Sequence, residues 1–300
     1  MPSRIAFVIA TKDRPEELAR LWRSLLAQTR LPEEVVVVDA SASPAPPPDP
    51  GRSPLIVRRV PSAVASLTRQ RNIGIAAVGP AVDLIGFLDD DAVLEENAVA
   101  ETARFFDEFG PELGGAALNM VNHPAMDLAG FKRTPLAEAL GLYARRGGTV
   151  TASGFQTMVG TVEAIQWTEW LPNGASVWRR EIFYGHLFDE WYTGYGYLED
   201  LDFSYRVGRT YRLAVVAAAR YRHLPAGGGR PAGFAFGVQE VLNRLHFVKK
   251  HHDLSTVKCR AALAARLAMS LALAVRGRDA SFAARAFGNA VGLARSFLDR

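Results

Sequence analysis

The chain has 300 residues and is 49% hydrophobic, enough for one large domain or two smaller ones with a substantial core. A single cysteine, Cys259, excludes an internal disulfide framework and a cysteine-based zinc cluster, and fits a reducing, cytoplasmic compartment. The formal charge of +4 is uneven: residues 1–243 hold 24 Lys+Arg against 28 Asp+Glu, whereas residues 244–300 hold 11 against 3. The basic character therefore belongs to the C-terminal tail.

Taken in chain order, the N-terminus MPSRIAFVIATKDRP has too short an apolar run for a signal peptide. IAFVIA (5–10) predicts a strand buried on both faces. Asp13 with Glu16 predicts a capping box opening the helix PEELARLWRSLLAQ. VVVVD (35–39) predicts a second strand, followed by the proline-rich loop SASPAPPPDPGRSP. LIVRRV (55–60) predicts a third strand, residues 62–78 a helix, and DLIGFL (83–88) a fourth strand. From about 110 to 165 the pattern loosens, with a helix expected near 135–145. YRLAVVAAARYRH (211–223) predicts a strand or strand pair ending at His223, before the Gly-rich LPAGGGRPAG. The tail is helical. Positions 238, 241, 242, 245 and 248 form one apolar stripe, and Phe282, Ala286, Ala290, Leu293 and Phe297 another, with Arg285, Asn289, Arg295 and Ser296 opposite. No stretch reaches the roughly 20 apolar residues of a spanning helix, since the best candidate, 261–275, is interrupted by Arg266.

Alternating strands and helices predict an α/β fold with a mostly parallel sheet flanked by helices, and ligands beyond the carboxyl ends of the strands. Polar residues cluster at those ends: Thr11, Lys12 and Asp13 after strand one, Asp39 and Ser41 after strand two, Asp89, Asp90 and Asp91 after strand four. All are expected to converge on one crevice. Three adjacent carboxylates repel and resist desolvation, so a positive group is expected beside them. One reading is a solvated turn whose acid caps the next helix. The other is a DxD pair, Asp89 and Asp91, gripping Mg2+ or Mn2+ through hard oxygens and leaving sites for phosphate.

Six segments occur in an order that resembles the GT-A inverting glycosyltransferases of the family-2 type: IATKDRP, VVVDAS, RQRNIG, FLDDDA, WLPNGASVWRREIF and FDEWYTGYGYLEDLDFSYRV. The resemblance spans roughly residues 4–250. It implies a GT-A Rossmann-like catalytic domain over 1–235, a basic amphipathic helical extension over 236–300, and a nucleotide-sugar donor. UDP-sugar is favoured, with dTDP- and GDP-sugars as alternatives. On the same ground Asp39 would bind the base with Thr11 and Arg14 nearby, Arg71 the phosphates or base, Asp89 the ribose, and Asp91 the metal. Asp90 would exchange roles with a neighbour if the register shifts by one. His223 would complete the metal site with Asp91 and Asp89. Asn173, Gly174 and Ala175 would lie at the donor sugar, and Trp170 and Trp191 would be platforms for a saccharide or lipid-linked acceptor. Sugar transfer needs a carboxylate base to deprotonate the acceptor hydroxyl. The family places it in the ED motif, so Asp200 is the expected base and Glu199 its substitute, the alternative being helix N-terminal acids favoured by the dipole. Gly227 to Gly229 would form a lid over the diphosphate.

Two other readings remain at this stage. A nucleotidyltransferase would need a Gly-rich phosphate loop after strand one, which TKDRP is not, and a catalytically inactive docking or scaffold module would not need the metal pair, the ED motif and His223. Nucleic-acid binding is not expected, because the basic tail lacks interleaved aromatic platforms. That tail, 238–300, fits peripheral contact with the inner face of the plasma membrane. The alternatives are a helical cap on the core and a homodimer interface.

Overall fold

The computed structural model describes residues 2–44, 54–123, 134–225, 232–277 and 280–298. The chain divides into two compact units, Met1–Ala125 with Val159–Gly227, and Met126–Met158 with Gly228–Arg300. The internal segment 126–158 is grouped with the C-terminal helices.

The first unit runs β1 (Ile5–Thr11), α1 (Pro15–Leu26), β2 (Glu34–Asp39), β3 (Ile56–Pro61), α2 (Leu67–Ala77), β4 (Leu84–Asp89), β5 (Ala92–Leu94), α3 (Ala98–Phe109) and β6 (Leu113–Met120). A short α4 (Pro135–Ala139) lies in the second unit, and the first resumes with β7 (Gln166–Thr168), β8 (Ala175–Arg179), α5 (Glu199–Val207) and β9 (Arg212–His223). One sheet follows the order β3-β2-β1-β4-β8-β6-β9-β5, with β7 also on β9. Strands β3, β2, β1 and β4 are mutually parallel, and β8 runs antiparallel to both β4 and β6. The register sets Thr11 beside Asp39 and Ala10 beside Asp89, so the three polar strand ends are adjacent. Core residues lie on both faces. Phe7, Ile9, Trp22 and Phe106 belong to one cluster, Val8, Val36, Phe87 and Phe203 to the other, as expected of strands buried on two sides.

Three local features differ from what the sequence pattern predicts. The capping box does not form: Asp13 adopts φ 54, its N–H donates to Ser41 Oγ at 2.7 Å, and the helix begins at Pro15 with no side-chain cap. The helix expected from residue 62 begins at Leu67. Strand β6, LGGAALNM, is buried although its glycines obscure the strand pattern; a Cβ at Gly115 would overlap the Trp178 ring, so glycine is what lets β6 lie against β8.

The second unit contains α6 (Gly233–Lys250), α7 (Thr256–Gly277) and α8 (Ala280–Leu298). Buried Arg244 of α6 ties in the internal segment: it donates to Gly154 O and Gln156 Oε1, and its guanidinium lies 4.1 Å from the Phe155 ring centroid. The stripe expected on α8 holds only in part: Ala286 is buried and Phe282 and Leu293 are half-buried, but Ala290 and Phe297 are exposed, while Gly288, Asn289, Gly292 and Ser296 are buried. Gly237 and Gly288 let the two backbones touch, since a Cβ on either would strike the other helix. Asn289 donates to Gly237 O (3.0 Å) and Glu240 Oε2 (3.1 Å), and Arg285 grips Glu240 through two bonds of 3.0 and 2.7 Å. Arg266 of α7 reaches the same carboxylate at 3.5 Å, so Glu240 links all three helices. Close polar contact has displaced the aromatic stripe.

Burial alone would raise the pKa of Glu240, but Arg285, Arg266 and Asn289 outweigh it and hold the pKa below the ordinary value. A carboxylate lowered in the folded state stabilises above its unfolded pKa, and that contribution disappears as pH falls through the folded one. Glu240→Gln should therefore flatten the acid limb of the stability curve measured by urea unfolding, and Glu240→Ala, which removes the buried carboxylate shared by Arg285, Arg266 and Asn289, should cost about 3–5 kcal/mol.

Candidate active site

Each acid of the triplet has a different job. Asp90 points back into the fold, where it accepts from Thr11 Oγ1 (2.8 Å) and Arg14 Nη1 (3.0 Å). Burial pushes its pKa up to about 6 against those bonds. Asp89 and Asp91 project with His223: their ligand atoms lie within 4.8 Å of one another. His223 Nε2 is 3.0 Å from Asp91 Oδ1. The arrangement follows from pairing, because β5 and β9 run antiparallel with Ala92 opposite His223, and Leu224 N–H donates to the carbonyl of Asp91 at 2.9 Å. Two carboxylates and one imidazole suit Mn2+ or another divalent cation that accepts oxygen with nitrogen.

Two guanidinium groups meet the expectation of positive charge beside the triplet, Arg14 at Asp90 and Arg71 at Asp89, and Arg71 is not in the expected role. Its side chain is 3% exposed. It donates to Glu199, to Asp89 Oδ1 at 3.1 Å and to Asn173 O at 3.2 Å, beside the rings of Phe87 and Phe188. The guanidinium faces three protein groups rather than open crevice, which corrects its assignment to phosphate or base. Burial pushes Glu199 up to about 8, with Asp200 and Asp89 adding to the effect and Arg71 opposing it. Asp200 is also raised by burial; it feels the charges of Arg71 and Asp89 and accepts from Leu201 N–H at 2.8 Å. The pair opens α5 directly after Leu198, whose φ of 74 is unusual for a β-carbon-bearing residue and turns the chain sharply into the helix. Asp202 is fully buried and pairs with Arg206 one turn on, a structural contact.

At the other strand ends, Asp39 accepts from Ser41 N–H at 2.7 Å and from Arg59. Burial works against ionisation there, yet these bonds lower its pKa. Thr11 is buried with its hydroxyl given to Asp90, so it shapes the triplet. Gln70 Nε2 bridges Thr11 O (3.0 Å) and Val38 O (2.9 Å), locking the ends of β1 and β2 to α2. Asn173, Gly174 and Ala175 adjoin the acids: Asp89 N–H donates to Gly174 O at 2.9 Å, and Ala175 pairs with Leu88. Asn173 is buried, its Oδ1 accepts from Ser176 Oγ at 2.7 Å, and its Nδ2 has no partner among the described residues. Trp170 is 1% exposed and is core, which removes it as an acceptor platform; Trp191 is 46% exposed. The lid expected at 227–229, and most of the proline-rich loop, lie outside the described residues. Sequence reasoning missed Tyr221, buried on β9, whose phenol is raised by burial and by Asp89 and Asp91; the alternation of β9 was the available signal.

Residues 6–118 match the family model described as glycosyl transferase family 2. Over 113 residues the chain is 32% identical to the galactofuranosyltransferase GlfT1 of Mycobacterium tuberculosis, a match covering 34% of this chain and 35% of that protein. Among solved structures, the mannosyltransferase PcManGT from Pyrobaculum calidifontis, in complex with GDP-Man and Mn2+, is 15% identical with a TM-score of 0.58, covering 98% of this chain and 89% of that one. S. aureus TarS 1-349 in complex with UDP-GlcNAc is 15% identical with a TM-score of 0.51, covering 87% and 70%. Residues 6–118 are thus similar to glycosyl transferase family 2, and the fold is that of the GT-A glycosyltransferase structures.

Proposed function

We propose that the protein is a metal-dependent inverting glycosyltransferase that moves a sugar from a nucleotide diphosphate, UDP in preference to dTDP or GDP, to a hydroxyl of a saccharide or lipid-linked acceptor. The observation that carries this reading is the Asp89–Asp91–His223 group, with Asp200 in the same field through Arg71 and Asp89. Asp89, Asp91 and His223 would hold Mn2+ or Mg2+, which when bound supplies a Lewis acid for the leaving diphosphate. Asp200 takes the proton of the acceptor hydroxyl as that oxygen attacks the sugar carbon opposite the leaving group. Glu199 does not act as its substitute, because Arg71 and burial hold it in place. Arg71 aligns the metal-side and base-side carboxylates, Asp39 and Arg14 line the nucleotide end, and the backbone of Asn173 to Ala175 forms the wall at the donor sugar. Trp191 offers an exposed ring to the acceptor.

Thermal shift against a panel of nucleotide sugars, with and without Mn2+, tests the donor, since a ligand that binds only the folded state raises apparent stability. Asp91→Ala should lose the Mn2+-dependent part of that shift. Asp200→Asn should keep the shift and lose transfer by about 10²–10⁴-fold, the usual worth of a positioned base. Wild-type turnover in that variant would remove Asp200 from the mechanism. Because burial favours the protonated form of Asp200, transfer should rise with pH through a pKa above the ordinary aspartate value, measured as kcat/KM against pH. Arg71→Ala, which strands Glu199 without its counter-charge, should cost about 3–5 kcal/mol in urea unfolding. Arg71→Lys, with one ammonium in place of a bridging fork, should fold while losing about 10²-fold in kcat through misplacement of the acids.

A further inference from the structure

Helices α7 and α8 each turn an uninterrupted apolar face to solvent. On α7, opposite buried Cys259, Ala262, Leu263 and Ser270, the exposed positions at helical spacing include Val257, Ala264, Ala268, Leu271 and Val275. Val257 is 78% exposed and Val275 81%. On α8 the exposed positions include Phe287, Ala290, Ala294 and Phe297, with Phe287 66% exposed. Contiguous exposed apolar surface of this kind marks an interaction site. Charge identifies the partner. Neither Thr256–Gly277 nor Ala280–Leu298 contains an acidic residue, while Lys258, Arg276 and Arg295 are exposed on the same helices. A second copy laid on this face would bring cations to cations with no acid to pair them. Among the described residues no helix is long and apolar enough to cross a membrane.

We propose that α7 and α8 dock on the surface of an anionic bilayer, with Val257, Leu271, Val275, Phe287 and Phe297 entering the headgroup and acyl boundary and Lys258, Arg276 and Arg295 meeting lipid phosphates. Vesicle binding is measured without reference to the transfer reaction. Full-length protein should co-sediment with phosphatidylcholine vesicles containing phosphatidylglycerol and far less with phosphatidylcholine alone, and added salt should release it. Leu271→Gln with Val275→Gln should weaken binding at least tenfold, since each removes a buried apolar side chain. Lys258→Ala and Arg276→Ala should each weaken it about fivefold. These positions are exposed, so circular dichroism should show an unchanged fold. Equal binding to both vesicle types, or none to either, overturns the proposal. So does a dimer in light scattering that Val275→Gln dissociates while vesicle binding is absent, which would assign the face to a second copy.

Discussion

One buried guanidinium sets the electrostatics around the acid cluster of the first unit. Arg71 remains charged at any accessible pH, and it is enclosed by two phenylalanine rings, a backbone carbonyl and the carboxylates of Glu199 and Asp89, with Asp200 within its field. One positive charge serves three acids. Burial raises the pKa of Glu199, Asp200 and Asp89 and the shared charge only partly opposes it, while the side bearing Asp89, Asp91 and His223 is suited to a cation. The same residue fixes distance, because its two ends span from Asp89 at the end of β4 to Glu199 at the start of α5.

The second unit solves a comparable problem with the signs reversed. There a single buried carboxylate, Glu240, gathers Arg285, Arg266 and Asn289 from two other helices. Glycines at the α6–α8 contact bring the backbones close enough for those short reaches. Apolar side chains excluded from that contact are left facing outward, so the exposed face of α8 is a by-product of the polar bond at its heart.

The parallel half of the sheet and the membership of the acid cluster were legible because unbroken runs such as IAFVIA and VVVVD carry their own period. A strand rich in glycine, β6, was not, since the reason for its glycines is the Trp178 ring on a strand distant in sequence. The family resemblance pointed to Arg71 and His223 but could not tell a guanidinium facing phosphate from one locked among acids; only the positions of Glu199 and Asn173 decide that. Trp170 misled for the same cause, as a tryptophan in a motif-like loop looks alike whether it lines a cleft or fills a core. On α8 apolar periodicity lost to Asn289 and Arg285, whose value depends on a buried glutamate elsewhere.

Strand β8 lies between β4 and β6 although it follows both in the chain, and β9 reaches β5 only after that insertion. Asp91 and His223 are brought together by this late pairing and by nothing local. A nascent polypeptide that has emerged through β4 therefore displays its aspartates without the imidazole that completes the set. Such sequence-distant closure makes assembly slow relative to helix formation. The juxtaposition of Asp89 and Asp91 with His223 is thus a property of the finished sheet.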